Sequence, residues 1–267
     1  MTSLVQKKFG DAARDSADCA VHTEGPSLTR LTELIAPMPT WRQLDVATGA
    51  GHTALAFAPN LAKATASDIT PEMLREVKRL AKERGLTNVV TRQANAQDLP
   101  FPDTSFHLVT CRLAAHHFPK PKDFVAEASR VLIPGGIFAL VDNISPDDAV
   151  LAASYNAFEK LRDPSHGRCL SVTEWSDLIA AAGLEPVSTE VIDQDIGFEA
   201  WVARMRCTEG VAARLKEMLE GAPLRQLLRP RETPDGLTFS LHEAIILARK
   251  PGTLGRKSGA PQTGPSS

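Results

Sequence analysis

The stretch Leu44-Asp45-Val46-Ala47-Thr48-Gly49-Ala50-Gly51-His52 constrains the fold of this chain more than any other. A short apolar strand that runs directly into two glycines one residue apart must turn tightly there. Glycine alone adopts left-handed backbone without penalty, and it also lets a ligand approach where a side chain would collide. A helix that starts after the turn presents its first amide N–H groups, unpartnered within the helix, to whatever lies against them. Strand, glycine turn and helix in this order open a βαβ unit, and such units build parallel sheets. Gly49 to Ala54 also fits G-x-G-x-x-A, the dinucleotide fingerprint, so the turn alone does not choose its ligand.

The rhythm continues through residue 142. Residues 43–47, 63–68, 88–93, 106–111 and 137–141 read as strands, separated by helical periods at 52–58, 70–85 and 120–132. In the second helix Thr70 stands at the N-cap position and Pro71 suits the first helical position. Met73, Leu74, Val77, Leu80 and Ala81 recur on one face until Gly85 ends it. Pro134-Gly135-Gly136 turns the chain into the fifth strand. Beyond residue 142, helices are expected at 146–161 and 173–182, a sixth strand at 187–193, and mainly helix at 198–228. A last strand at 237–249 follows the turn Pro234-Asp235-Gly236. The expected fold is α/β and Rossmann-like: a mostly parallel seven-stranded sheet with helices on both faces and ligand residues at the strand C-terminal ends.

Composition narrows the partners. The chain has 267 residues, 43% hydrophobic and 23% charged, with 30 Lys and Arg against 32 Asp and Glu. Collagen, wholesale disorder and a disulfide-stapled mini-protein are excluded. A net charge of -2 lacks the basic excess that draws nucleic acid, so a small molecule is the expected partner. Cys19, Cys111, Cys169 and Cys207 are far apart and form no zinc pattern; they predict reduced thiols and no metal. Residues 1–20 carry charges and no apolar core of a signal peptide, and no apolar run reaches membrane-span length, so a cytoplasmic protein without a membrane span is expected.

Three further segments sharpen the reading: Asp68 in Ser67-Asp68-Ile69-Thr70-Pro71, the run Asn95-Ala96-Gln97-Asp98-Leu99-Pro100-Phe101 after the third strand, and Leu132-Ile133-Pro134-Gly135-Gly136. With Asp45 and the glycine turn, in this order, the chain resembles the class I S-adenosylmethionine-dependent methyltransferases. The branch it looks like is the type 11 enzymes, which include the ubiquinone/menaquinone C-methyltransferases. The resemblance covers residues 44–142 and implies S-adenosylmethionine as methyl donor. It implies that Gly49 and Gly51 lie against the methionine part of the cofactor, with Asp45 near its amino group, and that Thr48 and Cys111 also bind the cofactor. Asp68 would hold the ribose hydroxyls, Ile69 would lie on the adenine, and Asn95 and Ala96 would meet its edge. His107 stands where relatives usually carry a structural Asp and reads as a surface variation.

Methyl transfer needs an aligned nucleophile, a dry site and sometimes a base. Candidates crown the fourth and fifth strands: Arg112, His116 and His117, then Asp142 and Asn143. Arg112 could meet an anionic acceptor or the cofactor carboxylate, and either histidine could take a proton near neutral pH. Trp175, Trp201, Phe158, Phe198 and Met205 are candidates to line the acceptor pocket. The expected organisation is a helical cap at 1–39, a methyltransferase domain at 40–250 with helical cover within 146–235, and a disordered tail at 251–267. The expected reaction is C-, O- or N-methylation of a small organic acceptor. Two other classes share parts of the pattern: a nicotinamide-dependent oxidoreductase using the same glycine turn, and an S-adenosylmethionine-binding protein without transferase activity.

Overall fold

The computed structural model describes residues 25–252; the rest of the expected N-terminal cap, residues 1–24, and most of the expected tail, residues 253–267, lie outside the described residues. Helix α1 (Pro26–Leu34) precedes β1 (Arg42–Val46), α2 (His52–Phe57), β2 (Lys63–Asp68), α3 (Pro71–Glu83), β3 (Val89–Gln93), β4 (Phe106–Arg112), α4 (Pro121–Val131) and β5 (Leu132–Asn143). Then come α5 (Ala149–Arg162), α6 (Val172–Ala181), β6 (Glu185–Gly197), α7 (Phe198–Arg204), α8 (Glu209–Glu220), α9 (Ala222–Leu228), β7 (Arg231–Thr233) and β8 (Gly236–Arg249).

One sheet runs β3-β2-β1-β4-β5-β8-β6. β1 through β5 pair in parallel, and β8 enters antiparallel between β5 and β6. The late strand thus completes the sheet as the sequence predicts. Among the described residues the sheet has eight strands rather than seven because residues 231–233, before the Asp235-Gly236 turn, fold back on β8 as the short β7. A three-residue strand is too short to show a period of two.

Alternation along the strands sorts the core into two layers. Leu44, Val46, Val109, Cys111, Phe138, Leu140 and Ile246 face α4 and α6, where Phe124, Trp175 and Ile179 bury against them. Leu108, Ala139, Val141, Ile245 and Leu247 face α1 and α2 through Leu31, Ile35 and Phe57. The predicted apolar stripe of α3, Met73, Leu74, Val77, Leu80 and Ala81, is buried throughout, each large side chain contributing about 1.5–3 kcal/mol. Pro71 takes the first helical position, but Thr70 caps without a side-chain bond to the helix; its hydroxyl and N–H turn to Asp68 instead.

A third cluster lies at the far ends of β6 and β8. Phe158 and Tyr155 of α5, Trp201 of α7, Leu215 and Leu219 of α8, Leu224 and Leu228 of α9, and Phe239 of β8 bury one another. The Trp201 ring is 4.9 Å from Phe158 and 5.0 Å from Phe239.

Candidate active site

The strand order reverses between β1 and β4, and the carboxyl ends of the strands beside that reversal are where an open α/β sheet accepts ligands. A cavity of about 330 Å³ lies there. Two non-glycine residues at its wall, Ala47 after β1 and Leu113 after β4, hold left-handed backbone at φ 51° and 53°. Such strain persists only where surrounding bonds enforce it; the Leu113 N–H is held by the Val141 carbonyl at 2.7 Å and the following Thr48 N–H by the Ser67 carbonyl at 2.9 Å.

The two glycines of the turn have different tasks. Gly49, at φ 55°, lies at the wall, and a Cβ on it would enter open space. Gly51, at φ 92°, is the N-cap of α2 and is absent from the wall; a Cβ there would stand 2.9 Å from Val77 of α3. Gly51 thus gives α2 and α3 their close approach.

Asp45 is also set back from the cavity. Its carboxylate is buried behind the turn, where it accepts the Thr110 hydroxyl at 2.6 Å, the Thr48 hydroxyl and the Ala54 amide in the first turn of α2. It therefore does the work of a helix cap, and burial pushes it up to about 6 against the pull of those donors and of Arg112. Cys111 points into the layer under α4, fully buried, and burial pushes its thiol well up. Neither residue borders the cavity.

Asp68 is at the wall. Oδ2 accepts the Gly49 N–H at 3.0 Å and Oδ1 the Thr70 N–H at 2.8 Å, while burial raises its pKa. Thr48, Ile69, Asn95 and Ala96 line the same space, with Asn95 Oδ1 turned to the Gln97 N–H at 3.1 Å. Met73, Ala94, Thr53 and His52 line it too and were not expected. Met73 belongs to the apolar stripe of α3, so its pattern gave no signal beyond core.

At the other end are Arg112, Leu113, Ala114, His117, Phe118 and Pro119. Arg112 Nε donates to Thr53 Oγ1 at 3.3 Å. Burial pulls its guanidinium down, and the carboxylates of Glu243 and Asp45 oppose that. The rings of the two adjacent histidines touch, with centroids 4.2 Å apart and planes at 45°, but they do not share the cavity wall. His117 reaches the cavity; its Nδ1 lies 3.0 Å from the Ser165 carbonyl oxygen, and burial with His116 nearby lowers it to about 4. His116 lies behind it, with Nδ1 2.6 Å from Asp142 Oδ1 and its amide on Oδ2 at 2.7 Å. Burial opposes a proton on His116, but Asp142 outweighs it and raises the pKa.

The expected pocket residues Trp175, Trp201, Phe158 and Phe198 do not border the cavity; all four are core. Met205 is not at the wall either. His107 is structural: it accepts the Arg42 N–H at 3.2 Å and stacks on Trp41. Among the described residues no group of three His, Cys, Asp or Glu is arranged for a metal ion, and no helix is long and apolar enough to cross a membrane.

A methyltransferase-domain family matches residues 44–140. A protein of Bacillus subtilis described as an uncharacterized methyltransferase, YcgJ, is 39% identical over 196 residues, 73% of this chain and 78% of that one. The chain belongs to the class I S-adenosylmethionine-dependent methyltransferases. The solved YcgJ structure superposes with a TM-score of 0.80 over 84% of this chain and 98% of that one. A 27-O-demethylrifamycin SV methyltransferase of Amycolatopsis mediterranei is 31% identical over 84% of both chains. A ubiquinone/menaquinone biosynthesis C-methyltransferase of Rickettsia rickettsii is 31% identical over 73% of this chain and 85% of its own. This methyltransferase uses S-adenosylmethionine as methyl donor, and its cavity has the features that ligand asks for. The Gly49 backbone borders open space, a carboxylate suited to a vicinal diol ends β2, and Ile69, Met73 and Ala96 offer apolar contact to a flat base.

Proposed function

We propose that this enzyme methylates a hydroxyl or amine of a small organic acceptor, with Asp68 on the cofactor ribose, Asn95 and Ala96 at the adenine edge, Ile69 on its face, and Thr48 and Gly49 along the methionine part. Arg112 holds the cofactor carboxylate: its tie to Thr53 sets it beside the glycine turn. Bound there, S-adenosylmethionine supplies an electrophilic methyl group on a sulfonium. The chain's residues orient the acceptor and handle its proton.

The observation that carries the acceptor class is His117. A carbonyl oxygen only accepts, so the contact with Ser165 puts the ring proton on Nδ1 and makes Nε2 the basic nitrogen of a neutral ring at the cavity wall. Burial keeps the ring neutral before the reaction; Nε2 accepts a hydrogen bond from the acceptor O–H or N–H, orients the lone pair toward the methyl group, and takes the proton only as the sulfonium charge is discharged, so that the net charge of the site does not change. His116 and Asp142 stand behind it and order the turn. Phe118, Leu113 and Ala114 give an apolar rim that excludes water.

The helices within 146–235 act as cover: α5, α7, α8 and α9 share one buried cluster with the ends of β6 and β8, and the α5–α6 connection reaches the histidine turn. The near-neutral charge favours a small molecule over nucleic acid, and the free thiols of Cys111 and Cys169 suit the reducing cytoplasm. The test is transfer of labelled methyl from S-adenosylmethionine to a panel of phenols, alcohols, amines and carbon acids. Label on hydroxyls or amines, lost in His117→Phe with S-adenosylhomocysteine binding retained, is the expected result. Transfer only to carbon, or transfer untouched by His117→Phe, contradicts the reading.

A further inference from the structure

The connection between α5 and α6 grips the turn that carries the two histidines. Gly167 and Arg168 both donate their amides to the His116 carbonyl, each at 2.9 Å, and the Ser165 carbonyl receives His117 Nδ1 at 3.0 Å. A Cβ on Gly167 would stand 2.8 Å from the His116 oxygen, so any other residue pushes the two segments apart.

The grip is itself braced. Asp163 Oδ1 accepts the Ser165 amide at 2.8 Å and its hydroxyl at 2.6 Å, and the Asp163 carbonyl takes the His166 amide at 2.8 Å. Asn156 Oδ1, on α5, accepts the Cys169 amide at 2.7 Å and lies 2.9 Å from His166 Nε2. The Lys160 ammonium donates to the His166 carbonyl. Asp163, Ser165 and His166 are buried, although a connection between two helices ordinarily runs over the surface. Joining α5 to α6 requires none of these bonds. Together they fix where the histidine turn sits and what the Nδ1 of His117 meets.

We propose that Asp163 and Gly167 are positioning residues that hold His117 in the Nδ1–H tautomer, so that the cover, rather than the sheet, decides that Nε2 is the nitrogen offered to the methyl acceptor. This rests on the acceptor-side role of His117 above. Among the described residues, the ionisable neighbours of His117 are His116 on its own turn, Asp142 at the end of β5, and Asp163 and His166 in the gripping connection. The proton that leaves the acceptor's O–H or N–H goes to Nε2, giving an imidazolium whose Nδ1–H stays on the Ser165 carbonyl. A ring held in the other tautomer would present an N–H at Nε2 and could take no proton there.

Long-range ¹H–¹⁵N spectra of the imidazoles in the full-length protein, with S-adenosylhomocysteine bound, read the tautomer directly and need no acceptor. In the wild type His117 is expected as one species, protonated at Nδ1. Asp163→Ala and Gly167→Ala are expected to give a mixture of tautomers. Asp163→Asn, which keeps an oxygen for the Ser165 donors, is expected to retain the wild-type spectrum. An Nε2–H tautomer in the wild type, or an unchanged tautomer in both alanine variants, overturns the proposal. S-adenosylhomocysteine affinity within about twofold of wild type shows that the variants are folded; a variant that loses it leaves the wild-type tautomer to decide. Absence of methyl transfer to any O–H or N–H acceptor by the wild type would defeat the functional reading whatever the tautomer.

Discussion

The Asp68 carboxylate and the Gly49 amide are joined at 3.0 Å across the ends of β2 and β1. One side chain thereby fixes the glycine turn and faces the cavity. Asp68→Ala removes both the brace and the ribose partner, and a charged hydrogen bond of this kind is worth about 1.5–3 kcal/mol. Calorimetric titration with S-adenosylhomocysteine is expected to show affinity at least about tenfold weaker. Unchanged affinity would place the ribose elsewhere.

Gly51 carries a separate prediction about stability. Its φ of 92° opposes alanine, and so does the Val77 side chain, 2.9 Å from the point where the added methyl would stand. Gly51→Ala is expected to destabilise the fold by about 1–3 kcal/mol in urea unfolding. Adding Val77→Ala should relieve the collision and leave the backbone strain, so the double variant loses less than the sum of the two single changes. Simple additivity would show that the contact does not matter.

These two glycines also show what the sequence could reveal. Strand, turn, helix and the order of the motifs are local patterns, so the fold, the cofactor and the positions of Asp68, Asn95 and Ala96 were legible. That Gly49 borders the cavity while Gly51 packs on α3 depends on where Val77 arrives, which the turn does not encode. The resemblance places Asp45 near the cofactor amino group; its partners Thr110 and Ala54 are ones that only the assembled sheet brings to it. The aromatic residues of α5 and α7 had the composition of a pocket and proved to be core, since helical spacing cannot distinguish the two faces a helix buries. His166 and the whole grip on the histidine turn were invisible, because they depend on backbone groups far apart in sequence.

Arg112 separates two parts of the cofactor. If it holds the carboxylate, Arg112→Gln weakens S-adenosylhomocysteine by about tenfold or more, as loss of a charged partner does. Methylthioadenosine, which lacks the amino acid, should bind both proteins alike. Equal effects on the two ligands would mean that Arg112 acts on the turn, and no effect on either would assign it to the acceptor.

Acid should destabilise the protein through its buried neutral histidines. Burial holds His117 at about 4 and His166 at about 3, while an unfolded histidine titrates near 6.5. Both folded values are depressed, so as pH falls below about 6.5 the unfolded chain takes up protons that the folded chain refuses. Stability from these groups is whole above that pH and is lost on acidification. Asp45 opposes this: raised to about 6, it keeps its proton when folded, and its contribution to stability falls as pH rises from about 4 to 6. In His166→Gln the slope of unfolding free energy against pH between about 6.5 and 5 should be shallower, by at most about 1.4 kcal/mol per pH unit. An unchanged slope would mean that His166 protonates in the folded state.

The most direct measurement is a crystal structure with S-adenosylhomocysteine bound. The ribose hydroxyls should meet Asp68, the adenine edge should meet Asn95 and Ala96, and the sulfur should face a space bordered by His117 and Phe118. A ribose away from Asp68, or a sulfur that faces away from His117, would contradict this assignment of the site.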